Sequence, residues 1–366
     1  MLGTRIYLIG AGHVARTHAA AIRKLSGSDF QLSVTDVNAD MRSSFADEFP
    51  EARVYGDVAG MLEDPPSPED IVVVATPPVT HFELAAQALR TGRHVLCEKP
   101  LTMSNEQAER LLELARSQGR MLGCCSDRFL GAPTTEEVKR LVAGDELGRL
   151  YHVRFVHRLQ RNRPGVEHQP SSSWFLDRGQ SGGGVLMDWG PYDISILNDV
   201  LSPVRVDVLS AWTANPETVL RLPSKAVFDV ETHVAASLRY HLASGEVVNV
   251  SYERSSCTHG SEGSIAEIEG TKGAVTWDWL SSAESSIVSR SYDQEGKVVH
   301  SEKAVDATSE ISFMDRPLVY FYRKMLGESS VAIVDEQAVF NFSCLQAIYA
   351  CAESGTTQTA SLELRR

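Results

Sequence analysis

The chain has 366 residues, 43% hydrophobic and 23% charged, with a formal net charge of −13. The length suits two domains and the composition an ordinary globular protein, while so acidic a balance argues against nucleic-acid phosphates as partners. No apolar stretch approaches a membrane span, and the first strand begins almost at Met1, leaving no room for a leader, so a cytoplasmic protein is expected.

Ile6–Ile9 is a short apolar run that meets Gly10-Ala11-Gly12, and a helix is predicted from about His13 to Leu25. Gln31 to Asp36 reads as a second strand, Met41 to Phe49 as helix, Arg53 to Tyr55 as strand and Val58 to Leu62 as a helical turn. Ile71-Val72-Val73-Val74-Ala75 is a continuous, mostly β-branched run, as expected of a strand buried on both faces of a parallel sheet. A helix over His81–Arg90, a strand over His94–Cys97, a helix over Asn105–Gln118 and a strand over Met121–Cys125 follow. This alternation predicts a doubly wound parallel sheet over residues 1–127, with ligands beyond the carboxyl ends of its strands.

From about Leu150 the pattern becomes polar–apolar alternation. Strands are predicted at Tyr151–Val156, Val206–Thr213, Val234–Leu242, Glu246–Tyr252, Ser264–Glu269, Ala274–Trp279, Ser286–Arg290 and Lys297–His300. Helices Ser312–Met325 and Glu336–Cys351 close the chain, the second expected to return toward the first domain. Residues 128–366 are thus expected to form a predominantly antiparallel sheet with helices on one face. The six cysteines have no disulfide-framework or Cys-x-x-Cys spacing and read as reduced core thiols. No cluster has metal-ligand spacing. Cys257-Thr258-His259 is a single pair on a predicted loop.

The opening strand–turn–helix carries Gly-x-Gly-x-x-Ala from Gly10 to Ala15. In that setting Gly10 permits the tight turn, Gly12 lets a pyrophosphate approach the backbone, and the helix start at His13 and Val14 offers N–H groups and a positive dipole end. Asp36 ends the second strand, where a carboxylate accepts hydrogen bonds from the ribose hydroxyls of NAD and repels the 2′-phosphate of NADP. The plainer role for Asp36 is to cap the following helix. NAD(H) is the expected cofactor.

Two further stretches carry chemistry. Glu98-Lys99-Pro100 follows a strand end beside the expected nucleotide crevice, where desolvation and a positively charged nicotinamide would lower a lysine's pKa. Gly182-Gly183-Gly184 leads into an apolar, helix-like run with Asp188 and Tyr192 four residues apart, a spacing that puts a carboxylate and a phenol on one helix face. A buried Asp–Tyr hydrogen bond without chemistry fits that spacing equally well.

Together these stretches, with Thr35-Asp36-Val37-Asn38, Ala75-Thr76-Pro77 and His81, Arg128-Phe129, Asp188-Trp189-Gly190-Pro191-Tyr192 and Glu269-Gly270-Thr271-Lys272-Gly273, make the chain resemble the glucose–fructose oxidoreductase, inositol dehydrogenase and MocA (Gfo/Idh/MocA) oxidoreductases. The resemblance runs over nearly the whole chain. It implies a Rossmann domain followed by an α+β domain, cofactor contacts from Gly10, Gly12, His13, Val14, Asp36, Thr76, Pro77, His81, Glu98 and Lys99, and a catalytic role for Lys99. It also implies a cis Lys99–Pro100 bond and an Asp188 that orients substrate hydroxyls. Many members carry histidine where this chain has Tyr192. A free phenol titrates near ~10 and histidine near ~6.5, so Tyr192 would need Lys99 and the nicotinamide charge to reach its phenolate.

The function expected is NAD(H)-dependent hydride transfer at a hydroxyl- or keto-bearing carbon of a sugar, polyol or related compound. Tyr192, assisted by Lys99, takes or returns the hydroxyl proton. Substrate contacts are expected from Arg128, Arg161, Trp174 and Asp188. The basic loop His157–His168 could bind a carboxylate or phosphate, line a sugar pocket, or simply be solvated or inter-subunit. The family's habit of pairing through the second sheet suggests a homodimer or homotetramer if that face is apolar. Two other readings are an NAD-dependent glycosidase working by oxidation and elimination, and a non-catalytic NAD-binding regulator. The presence of both Lys99 and Tyr192 counts against the regulator.

Overall fold

The computed structural model describes residues 4–25, 30–160, 170–216, 227–280, 285–293, 295–306 and 311–362. The chain begins with β1 (Arg5–Ile9), α1 (His13–Lys24), β2 (Gln31–Thr35), α2 (Ala39–Glu48), β3 (Arg53–Tyr55) and α3 (Val58–Met61). It continues through β4 (Ile71–Val74), α4 (His81–Arg90), β5 (His94–Cys97), α5 (Asn105–Ser117) and β6 (Leu122–Cys124). Then come α6 (Pro133–Ala143), β7 (Leu150–Arg158), α7 (Arg178–Ser181), α8 (Val185–Asp188) and α9 (Gly190–Leu201). Strands β8 (Pro203–Ala214), β9 (His233–Leu242), β10 (Val247–Ser255), β11 (Gly263–Gly270) and β12 (Gly273–Thr276) lead to β13 (Ser285–Tyr292) and β14 (Val298–Val305). The chain closes with α10 (Arg316–Met325), α11 (Asp335–Ser354) and β15 (Gln358–Ser361).

These elements form two compact units, Met1–Arg128 with Ile311–Phe342, and Phe129–Glu310 with Ser343–Arg366. The first holds a six-stranded parallel sheet in the order β3-β2-β1-β4-β5-β6. The strand order reverses between β1 and β4, the crevice where doubly wound sheets hold their ligands. On one face of this sheet Ile6 and Leu8 of β1 and Ile71 and Val73 of β4 share a core with Ala15, Ala19 and Ile22 of α1, Phe45 of α2, and Leu318 and Phe321 of α10. Residues Ile71 to Val74 are all fully buried, as their β-branched run leads one to expect. Helix α10 starts at Arg316 rather than Ser312, because residues 312–315 form a turn in which Asp315 N donates to Ser312 O (2.8 Å). Pro317, which has no N–H to give, then sits in the first helical turn.

The second unit carries a nine-stranded sheet in the order β14-β13-β12-β11-β7-β10-β9-β8-β15. Its pairings are antiparallel except that of β7 with β10. Its covered face is apolar: Val153 and Phe155 of β7, Val248, Val250 and Tyr252 of β10, and Leu238 and Tyr240 of β9 are all buried. The other side of these strands is polar, crossed by ion pairs such as Arg154–Glu267 (2.6 Å), Glu267–Arg290 (3.2 Å) and His233–Glu253 (2.8 Å). The apolar face on which the expected pairing of subunits was conditional is therefore not what the central strands present. Helix α6 and strand β15 are additions to the sequence-based outline. All six cysteines are buried and unbridged. No helix among the described residues is long and apolar enough to cross a membrane.

Candidate active site

Gly10 has φ +105°, and a Cβ there would lie 2.4 Å from the Ala75 carbonyl oxygen. Only glycine satisfies both conditions. Its N–H donates to Thr35 O (2.8 Å), so the loop is pinned across the carboxyl ends of β1 and β2. At Gly12, by contrast, a Cβ would meet nothing within 4 Å, and no side chain caps the start of α1 at His13 and Val14. Open space at an uncapped helix N-terminus is what a pyrophosphate requires.

Asp36 follows β2 directly. Its Oδ2 accepts from Ala11 N of the glycine loop (2.8 Å) and its Oδ1 from Asn38 N (2.8 Å). Asn38, not Asp36, caps α2 through Asp40 N. A half-buried carboxylate is thus held beside the loop, with lone pairs left over for a ribose diol. These residues fit a dinucleotide of the NAD type.

Past β4, Thr76 and Pro77 are half-buried. His81 is wholly buried, its Nε2 2.8 Å from Thr76 O and its Nδ1 2.8 Å from Pro100 O. It therefore ties the turn after β4 to the turn after β5, and burial pulls its imidazole below the usual histidine range. The Lys99–Pro100 peptide is cis. Lys99 is half-buried, but Glu98 turns inward: Oε1 takes His18 Nε2 (2.9 Å) and the Arg128 guanidinium (2.8 Å), and Oε2 takes Lys99 N (3.2 Å). Arg128, an expected substrate contact, is itself buried in this ion pair.

Asp127, next to it, is also buried. Its Oδ1 has no hydrogen-bond partner among the described residues, and burial pushes the carboxyl up to about 7. A carboxyl raised in the fold contributes stability below its unfolded value near 3.8, and that contribution is lost as pH rises through about 7. Stability measured by urea unfolding should therefore decline across this window, and Asp127→Asn should remove that part of the decline. An unchanged slope in the variant would show that Asp127 titrates normally.

The candidate groups of the second unit lie around α8 and α9. The run is two helices rather than one. Pro191 cannot donate to the Met187 carbonyl, and Tyr192 N bonds Trp189 O (3.0 Å) in the tighter i→i+3 pattern. The i, i+4 argument for Asp188 and Tyr192 accordingly crosses a helix break. Asp188 is half-buried and Tyr192 is buried. The Tyr192 ring stands edge-on to Phe129 (4.9 Å, 88°) and to Trp189 (5.8 Å, 71°). Beneath it, Asp193 accepts from Tyr252 Oη (2.8 Å) and from two nitrogens of Arg254, whose guanidinium lies over Trp189 (5.1 Å) and Trp279 (5.8 Å).

The triple glycine has a structural origin that only distant residues reveal. A Cβ on Gly183 would strike Tyr349 Oη at 2.1 Å and one on Gly184 the Glu231 carbonyl oxygen at 1.8 Å. Glu231 also caps α8 through Gly184 N (2.9 Å) and Leu186 N (3.0 Å). Sequence reasoning does not find Glu231, Asp193 or Arg254, because each acts through a partner far away along the chain. Trp174 is half-buried and stacks on Phe175 (3.8 Å), while Arg161 lies outside the described residues.

Residues 4–125 match the family described as an oxidoreductase family with an NAD-binding Rossmann fold, and residues 135–276 match the GFO/IDH/MocA C-terminal domain. Among curated proteins, the chain is 30% identical over 195 residues to a 1,5-anhydro-D-fructose reductase of Ensifer adhaerens, covering 53% of this chain and 56% of that protein. It is 31% identical over 254 residues to inositol 2-dehydrogenase 2 of Saccharopolyspora erythraea, covering 66% and 70%. The chain spans about half the length of the first curated relatives it matches. Among solved structures, GenD2 from gentamicin A biosynthesis in complex with NAD superposes with a TM-score of 0.72 at 25% identity, covering 99% of this chain and 97% of that one. With a Rossmann sheet in the strand order 3-2-1-4-5-6, a large second sheet, and both halves matched, the chain belongs to the Gfo/Idh/MocA oxidoreductase family.

Proposed function

We propose that this protein is an NAD(H)-dependent oxidoreductase acting on a hydroxyl- or keto-bearing carbon of a sugar, polyol or related compound. The observation that carries the reading is the glycine loop at the uncapped N-terminus of α1 with the Asp36 carboxylate bonded to it, an arrangement that supports recognition of a ribose diol by Asp36. A nicotinamide cofactor held there supplies the redox equivalent. Tyr192 serves as the acid–base group for the substrate hydroxyl, Lys99 assists it through its positive charge, and Asp188 accepts hydrogen bonds that orient neighbouring hydroxyls. The aromatic rings of Phe129 and Trp189 hold the Tyr192 ring. Relatives named for an anhydro-sugar and for inositol support the substrate class. The reading includes a homodimer or homotetramer; pairing through the second sheet would have to use the polar and charged side chains of its outer face, such as Arg154 and Glu267, rather than an apolar patch.

The test is NADH formation across a panel of sugars, polyols and sugar acids, with NADP⁺ in parallel. NAD⁺ should be preferred, and Asp36→Ser should reduce that preference by at least about tenfold, since the 2′-phosphate would no longer meet a carboxylate. Equal use of both cofactors by the native protein would refute the assigned role of Asp36.

A further inference from the structure

We propose that His18, Glu98 and Arg128 form a buried charged support for Lys99, with Glu98 fixing the Lys99 main chain and holding a negative charge at its backbone N–H that attracts the lysine cation. This rests on Lys99 being the assisting cation described above. Glu98 is 6% exposed, Arg128 4% and His18 0%, yet all three are polar, and His18 and Arg128 each bond Glu98. Both carboxylate oxygens are committed, Oε1 to His18 Nε2 and Arg128, and Oε2 to the backbone N–H of Lys99. His18 Nδ1 has no hydrogen-bond partner among the described residues, which suits a proton on Nε2 donated to Glu98. Burying a carboxylate is costly unless it is paired and hydrogen-bonded, and here three elements meet that need: α1, the turn after β5 and the segment after β6. Burial alone would raise the Glu98 carboxyl. The Arg128 charge, the His18 hydrogen bond and the attraction of Lys99 outweigh burial and hold it well below the usual carboxylate range. Coulomb attraction is mutual, so the same charge favours the cationic form of Lys99.

The other ionisable groups around Glu98 are His81 at the start of α4, Cys97 on β5, and Cys124, Cys125 and Asp127 at and after β6. Burial pushes up all three thiols and the Asp127 carboxyl and pulls the His81 imidazole down, which leaves Glu98 as the anion of the group below about pH 7; above it Asp127 ionises too, in the native protein and the Glu98 variants alike. His18 Nε2, a Glu98 oxygen and Cys125 Sγ lie within 4.8 Å of one another, a spacing open to a metal ion. The Arg128 cation on the same Glu98 oxygen opposes a second cation there. Arg128 and His18 are accordingly positioning residues that act through Glu98.

The test is pH-dependent acetic anhydride labelling of the cofactor-free protein, following the Lys99 peptide by mass spectrometry. Glu98→Gln keeps the shape and removes the charge, and should lower the labelling midpoint of Lys99 by about half to one pH unit. Arg128→Lys, which retains the cation, should leave it within about 0.2 unit of the native value. A folded Glu98→Gln protein with an unshifted midpoint would overturn the proposal, as would stoichiometric metal in the purified native protein. If Glu98→Gln does not fold, Glu98→Asp draws the charge back from Lys99 and should give a smaller shift in the same direction. Its absence would count equally against the support. Because labelling needs no turnover, the outcome is independent of Lys99→Met. Native kcat in Lys99→Met would refute the assisting role of Lys99, whatever the labelling shows.

Discussion

Tyr192→Phe should lower kcat by about 10²–10⁴-fold, the range expected when a positioned acid–base group is removed. The substitution deletes one oxygen and leaves the ring. The edge-on contacts with Phe129 and Trp189 are made by ring atoms, so the aromatic cluster and the start of α9 should persist. Loss of rate with the fold retained is therefore the expected signature. The loss should fall on kcat and kcat/KM alike, because the proton moves in the transition state and not on binding. Lys99→Ala should lower kcat by a similar factor with NAD⁺ still bound, since the glycine loop and Asp36 are untouched. Steady-state kinetics on whichever substrate the panel identifies would check both variants. Near-native kcat in the pair would remove the acid–base assignment and leave the fold without a chemical role for either residue.

Asp193→Asn should destabilise the protein by about 3–5 kcal/mol, the usual result of removing one partner from a fully buried ion pair. Asp193 is 0% and Arg254 1% exposed, and the guanidinium is stacked under Trp189 and Trp279 with no path to water. Asparagine keeps the volume but leaves the cation uncompensated. The double variant Asp193→Asn with Arg254→Met should recover much of the loss, because it also removes the stranded charge. Urea unfolding of the native protein, both single variants and the double variant measures the coupling directly. Simple additivity would show that the two side chains do not depend on each other. Tyr192 precedes Asp193 and its ring leans on Trp189, so part of the activity loss in these variants would come from a displaced phenol.

Much of the first unit is legible from local pattern. A β-branched run such as Ile71–Val74 has one comfortable environment, and a glycine at position 10 followed by a helix has few explanations once Asp36 ends the next strand. The second unit was legible as alternating strands, because one face is buried against helices and the other is polar. What could not be read were contacts between residues distant in sequence. Nothing near Gly183 or Gly184 announces Tyr349 or Glu231, nothing near Arg128 announces Glu98, and the break at Trp189 depends on which carbonyl Pro191 leaves unserved. Helix α6 did carry signals, with Pro133 opening it and Val138 and Leu141 as buried positions three apart. Strand β15 is too short to stand out and exists because β8 offers an edge.

The packing of Ile311–Phe342 into the first unit has a consequence for how the protein is made. Leu318 and Phe321 belong to that unit's core, the Phe321 ring lies over Gly123, and Cys124 N donates to Ile333 O (3.0 Å) along the outer edge of β6. On a ribosome these pieces emerge roughly ten to forty seconds after Arg128, at common rates of elongation. The dinucleotide-binding sheet begins synthesis first yet closes its core almost last, after β7 to β14 have left the exit tunnel. A fragment ending at Arg128 should expose the β6 edge and the apolar face that α10 covers, and should aggregate rather than bind NAD.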